Sequence, residues 1–217
     1  LLWEELELSG GNERVPALAL GSAGEIIAVG YVNSFQTGKD VWIWTYDLLT
    51  GKAGWGDFYD GASHGDDEAV NVAAWNSGNT WAAGYQQTTP GAGKELMSIE
   101  WTASGTRTGV RPLTPQASIS GVSGLALNET NGDYLVCGTR ALSDRRSAAV
   151  IYRRDNSGAE VWERTYEGEN AESNVAGGCT FSAGDTLVVG TEAAQETARQ
   201  LFIARYDSLG QRLWLRR

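Results

Sequence analysis

The chain has 217 residues, enough for one sizeable core, and carries 27 acidic against 17 basic side chains for a formal charge of −10. That balance opposes nucleic-acid binding, which needs a basic footprint, and electrostatic adhesion to anionic membranes. No apolar run is long enough to cross a bilayer as a helix, so no membrane span is expected.

In chain order, WEELELSG (3–10) reads as a strand running into a turn. Strands are expected next at roughly 15–20, 25–31, 40–46 and 52–59. The same order then returns three more times. Gly30, Gly84, Gly138 and Gly190 close the apolar runs EIIAVG, TWAAG, YLVCG and TLVVG at intervals of 54, 54 and 52 residues. A turn glycine precedes each of them, at Gly24, Gly78, Gly132 and Gly184. A third apolar run follows each and ends at Gly51, Gly105, Gly158 or Gly210. Four residues further on stand Trp55, Gly109, Trp162 and Trp214. Such a period means one supersecondary unit copied four times, and units of this size bury their apolar faces only by stacking.

Four strands per unit, with no sustained helical period, predict an all-β chain. The expected fold is a β-propeller segment of four consecutive four-stranded blades. It is read as a single domain over 1–217, with repeat units at about 3–54, 55–108, 109–161 and 162–214. Four blades are the lower limit for a ring, and neither end unit carries a polar cap. The four are therefore expected to be part of a ring of about seven or eight blades, completed by a missing portion or a second copy. The opening in mid-repeat reads as a piece of a longer product. Gly109 replaces the tryptophan in the third outer strand, and Pro112 and Pro115 follow, so that strand is expected to be short or frayed. The segment 192–200 reads as loop. Trp55, Trp162, Trp214 and the four recurrent glycines are expected to be structural.

Candidates for chemistry are few. Trp42, Trp44 and Tyr46 alternate and so share one strand face. Packing against a neighbouring blade is the first explanation, and an exposed sugar-stacking platform of Trp42, Trp44 and Trp101 is the alternative. Asp66, Asp67 and Glu68 form the densest acidic cluster and are the candidate ligands for a hard cation such as calcium; otherwise no cofactor is expected. The single histidine, His64, lies in a polar turn, and no serine has nucleophile-elbow surroundings. Cys137 and Cys179 occupy apolar positions of adjacent units. Buried free thiols are expected there, with an inter-blade disulfide as the alternative.

The stretch GDDEAVNVAAWNSGNTWAAGY (65–85), with YRRDNSGAEVW (152–162) and IARYDSLGQRLW (203–214), resembles the bacterial β-propeller repeat of the delta-60 and SBBP type. YDLLTGKAGW (46–55) more weakly resembles the tryptophan repeat of quinoprotein-like propellers. The first resemblance implies a propeller of a large secreted or surface protein.

Together these features lead to the expectation of a non-enzymatic extracellular or cell-surface module. It would act as a scaffold or adhesion surface, with a protein partner, further blades of the same ring or a second copy bound to it. A carbohydrate-binding or carbohydrate-cleaving propeller is the alternative, motivated by surplus tryptophan and acidic residues. A subunit completing a larger ring is another.

Overall fold

In the computed structural model the described residues are 13–34, 36–88, 94–113, 119–142, 146–168, 172–193 and 199–217. They form sixteen strands and no helix, so among them none is long and apolar enough to cross a membrane. Trp3 and the strand expected around it, Pro115 and most of the segment 192–200 lie outside the described residues. Two compact units divide the chain, Leu1–Gln116 and Ala117–Arg217.

The first unit holds two antiparallel meanders. One runs β1 (Glu13–Leu20), β2 (Glu25–Ser34), β3 (Gly38–Asp47), β4 (Ala53–Tyr59). The other runs β5 (Glu68–Ala74), β6 (Thr80–Gln87), β7 (Lys94–Trp101), β8 (Arg107–Pro112). The second unit repeats the pattern as β9 (Ile119–Leu127), β10 (Tyr134–Ala141), β11 (Ser147–Arg154), β12 (Glu160–Tyr166), then β13 (Ser173–Ser182), β14 (Asp185–Ala193), β15 (Gln200–Tyr206), β16 (Arg212–Arg216). Four separate sheets were expected, yet these last two meanders fuse into one eight-stranded sheet. The link is a single parallel pair, Ser147 with Ser173. It forms because the Asn174 amide donates to the Ser147 carbonyl and the Asn174 N–H reaches Ser147 Oγ, drawing β13 alongside β11. β8, expected to be short, has six residues and pairs as far as Pro112 with Met97; β16, with five, is shorter.

The recurrent glycines have a physical cause. Beside each one the first strand of its meander bulges, and a Cβ on Gly30 or Gly84 would come 1.8 Å from the carbonyl oxygen of Arg14 or Glu68. Only glycine admits a backbone that close.

Strand alternation gives every meander two faces, and register makes them comparable. Gly30, Gly84 and Gly190 stand opposite Trp42, Met97 and Phe202. In the first unit Ile27, Val29, Val41 and Ile43 of one meander meet Ala82, Met97, Ile99 and Trp101 of the next. In the second, Leu135, Cys137, Ala149 and Ile151 meet Val188, Phe202, Ala204 and Tyr206. Each seam carries a tryptophan wedge from the outer strand of one meander onto the β-turn glycine of the next. A Cβ on Gly105 (φ 84°) would lie 2.6 Å from Trp55, and one on Gly210 (φ 76°) 2.9 Å from Trp162. The Trp162 indole N–H donates to the Ser208 carbonyl at 3.1 Å.

Trp162→Ala leaves a large cavity at the second seam and is expected to cost about 3–5 kcal/mol, read as a lowered urea midpoint. Trp214→Ala removes a half-buried ring outside either seam cluster and is expected to cost less than half of that. Equal losses would show that the wedge carries no special weight.

Candidate functional site

Along β3, Val41 and Ile43 point into the first seam, so Asp40, Trp42 and Trp44 point to the opposite face. Among the described residues of the first unit, no meander packs on that face. Trp42 and Trp44 are half-buried and nearly parallel, their centroids 6.1 Å apart at 17°. Phe58 of β4 stands opposite Trp42, is 50% exposed and presents its edge to Trp44 at 5.8 Å. Gly56 makes room for this arrangement, since a Cβ there would lie 2.1 Å from the Trp44 ring. Leu18 and Leu20, each 65% exposed, extend the face along β1. By register, Trp42 and Trp44 correspond to Met97 and Ile99 and to Phe202 and Ala204, all of them buried in seams.

The row ends in carboxylates. Asp40 lies two residues before Trp42, and Asp60 two residues after Phe58. Asp40 accepts from the Thr37 hydroxyl at 2.8 Å, while its other oxygen is buried without a hydrogen-bond partner, as is the Trp44 indole N–H. Burial raises the Asp40 pKa and the Asp60 charge adds to it, against the lowering effect of Thr37 and His64. His64 Nδ1 and Asp60 Oδ2 are 2.5 Å apart, and His64 adopts a positive φ of 51°. Phe58, Asp40 and Asp60 were not legible as site residues, because only the β3–β4 register sets them beside the indoles.

Asp66, Asp67 and Glu68 do not converge, which corrects the calcium candidate. The three carboxylates go to different partners, and each already has protein donors. Asp66 accepts from the Lys39 N–H at 3.3 Å. Asp67, fully buried, accepts from the Gly61 N–H at 2.6 Å and the Gln87 N–H at 3.1 Å. Glu68 takes the Lys39 and Lys94 ammoniums at 2.8 and 2.7 Å. Burial works against its ionisation, but the two lysines outweigh it and hold its pKa below the ordinary value. Among the described residues no group of three or more His, Cys, Asp or Glu could hold a metal ion. Asp67 behaves in the opposite sense: burial lifts it to about 6, with the charges of Asp60 and Asp40 adding.

Trp101 is also corrected as a platform residue. It is 0% exposed, and its indole N–H donates to Asp57 at 2.8 Å across the first seam. Trp162 is buried, and Trp55 and Trp214 are half-buried. At the other end of β3 a groove of 430 Å³ is lined by Glu25, Asp47, Lys52 and Trp55. The Asp47 carboxylate there is already committed to its own turn, through Thr50 first and Leu49 as well.

No family model matches the chain, and no curated protein matches it in sequence. Solved structures do match. An endo-arabinase from Bacteroides thetaiotaomicron VPI-5482 superposes with a TM-score of 0.55 at 14% identity, over 94% of this chain and 80% of that one. The β-propeller domain of the Trilobed protease from Pyrococcus furiosus, described as having an open velcro topology, superposes with a TM-score of 0.52 at 10% identity, over 93% of this chain and 57% of that one. The fold is that of a β-propeller. The expectation of a non-enzymatic scaffold or adhesion module is corrected at this point. It rested on a complete propeller without a recognisable catalytic motif, and a propeller that is an enzyme matches nearly the whole chain. At these identities the likeness establishes the fold alone.

The raised Asp67 pKa has a stability consequence. The folded state holds this proton more tightly than the unfolded chain, whose ordinary value is 3.8. The contribution is therefore fully present below about pH 4 and is lost as pH rises towards about 6. Asp67→Asn should flatten that dependence, changing the wild-type-minus-variant stability by on the order of 3 kcal/mol between the two limits. Parallel pH profiles of the two proteins would overturn this assignment.

Proposed function

We propose that this propeller acts on carbohydrate, with a sugar chain lying along Trp42, Trp44 and Phe58 and meeting Asp40 and Asp60 at the end of the row. The observation that carries the reading is the parallel, half-buried tryptophan pair ending in two carboxylates of different environment. Flat apolar rings stack on the C–H faces of sugars, and carboxylates accept hydroxyl hydrogens. A half-buried carboxyl with a raised pKa beside one paired to histidine also suits glycoside cleavage, with Asp40 placed to donate a proton to the leaving oxygen. The endo-arabinase neighbour supports the substrate class.

The four meanders are proposed as consecutive blades of one propeller over 1–217, belonging to a larger ring. The repeat segments that resemble the delta-60 and SBBP type support a secreted or surface-exposed bacterial setting. A second reading of the aromatic face comes from register. Its counterparts Met97, Ile99, Phe202 and Ala204 each receive a neighbouring meander, so a blade supplied by a second copy would fit here too.

Two measurements separate these readings. Acrylamide quenching of tryptophan fluorescence, protected by a polysaccharide and lost in Trp42→Ala, supports the sugar site; each ring is expected to contribute about 3–10-fold in affinity. Light scattering that shows association abolished by the same substitution, with no glycan protection, favours the second copy. If cleavage occurs, Asp40→Asn should abolish reducing-sugar release while leaving binding intact.

A further inference from the structure

Cys137 on β10 and Cys179 on β13 face one another across the seam of the second unit. Cys137 belongs to the face with Leu135, Ala149 and Ile151, and Cys179 packs on the same cluster from the opposing meander. The neighbouring Cys137 thiol acts on the Cys179 thiol, so the two groups lie within electrostatic reach of each other. Between their strands lies Gly124, where a Cβ would come 2.8 Å from Cys137 Sγ and 3.0 Å from the Cys179 backbone nitrogen. Glycine at that position is what lets the two chain segments approach. Both cysteines are free thiols, Cys137 buried and Cys179 half-buried.

We propose that Cys137 and Cys179 are a disulfide-forming pair, which a small-molecule disulfide oxidises to a covalent clasp between the third and fourth meanders. The exchange balances in two steps. Cys179, the more accessible thiol, loses its proton and attacks one sulfur of the oxidant, and the oxidant's other sulfur leaves as a thiolate that takes up a proton. Cys137 then loses its proton and attacks Cys179 Sγ in the mixed disulfide, releasing the second thiol. The protein gives up two electrons and two protons, and the oxidant is reduced to two thiols. The neighbouring Cys137 thiol, then burial, hold the Cys179 pKa well above its ordinary value, so the pair reacts faster in alkaline buffer.

The pairing has a mechanical consequence. Apart from the apolar seam, the two meanders share one parallel residue pair, Ser147 with Ser173, and side-chain hydrogen bonds such as those from Trp162 and Arg164 to the Ser208 and Gly210 carbonyls. A bond between Cys137 and Cys179 crosses the same seam further along β13. It therefore restrains the opening of the meanders in the unfolded and partly opened chain, where such cross-links act most. The inference does not depend on the carbohydrate reading.

The test uses the whole chain and oxidised glutathione in mildly alkaline buffer. Samples are denatured, alkylated and weighed by mass spectrometry, and peptides are mapped. The expected result is loss of both alkylatable thiols, loss of the mass of two hydrogens, one Cys137–Cys179 linked peptide pair, and a thermal midpoint that rises on oxidation and falls back with a thiol reductant. Cys137→Ser should halt at the glutathione adduct on Cys179. Retention of two alkylatable thiols, a stable glutathione adduct on the wild-type chain, or a cross-link between two chains would each overturn the proposal.

Discussion

The seam between consecutive meanders depends on a tryptophan seated against a turn glycine of the next repeat. Trp55 does this over Gly105 and Trp162 over Gly210, and in both cases positive φ and the missing Cβ create the seat. The surrounding polar contacts are built to the same plan with opposite charge. Two residues after Trp162, Arg164 donates to the Gly210 and Leu209 carbonyls. Two residues after Trp55, Asp57 instead accepts from the Trp101 indole and pairs with Arg107 at 3.1 Å. Each wedge thus has a geometric lock common to the repeats and an electrostatic lock of its own. Swapping meanders between the two seams would set like charge against like or leave a buried donor unpaired, which favours the native order.

This dependence explains why the architecture could be read from the sequence. Glycines that must avoid a carbonyl and tryptophans that must fill a seat recur at the pitch of the repeat, and no substitute satisfies the same geometry. Strand positions in the first meander follow directly: 15–20, 25–31, 40–46 and 52–59 were expected, and Glu13–Leu20, Glu25–Ser34, Gly38–Asp47 and Ala53–Tyr59 are found. The site was less legible. Asp66, Asp67 and Glu68 are neighbours in sequence and suggested one cluster, but the loop entering β5 turns each to a different partner. Asp40 and Asp60 are twenty positions apart, and the β3–β4 register brings them to one end of the aromatic row. Trp101 shared the surplus of tryptophans that suggested a platform, yet its place at the end of β7 puts it under Asp57.

The fused sheet of the second unit shows how little separates a stack of sheets from a continuous one. Asp67 and Asn174 occupy the same place in their repeats, each accepting from the glycine N–H six residues earlier. Asn174 also has a donor and spends it on the Ser147 carbonyl, which pulls β13 into register with β11. A carboxylate has no donor. Asp67 instead accepts a second N–H, from Gln87 of its own meander, and no ladder forms between β3 and β5.

That difference bears on the acidic end of the aromatic row. The fourth repeat shows that a neutral amide closes this turn, so the buried carboxylate of the second repeat is not demanded by the turn alone. The second N–H, from Gln87, meets the second carboxylate oxygen, where an asparagine would present its NH2 group. The consequence is a desolvated carboxylate within electrostatic reach of Asp40 and Asp60, with a pKa of about 6. While Asp67 is protonated, Asp40 and Asp60 feel no third charge. As pH rises and Asp67 ionises, a further negative charge appears beside the row, and any ligand that donates hydrogen bonds to it meets a more negative site. A residue whose first role is to close a turn thereby adds a pH-dependent charge beside that surface.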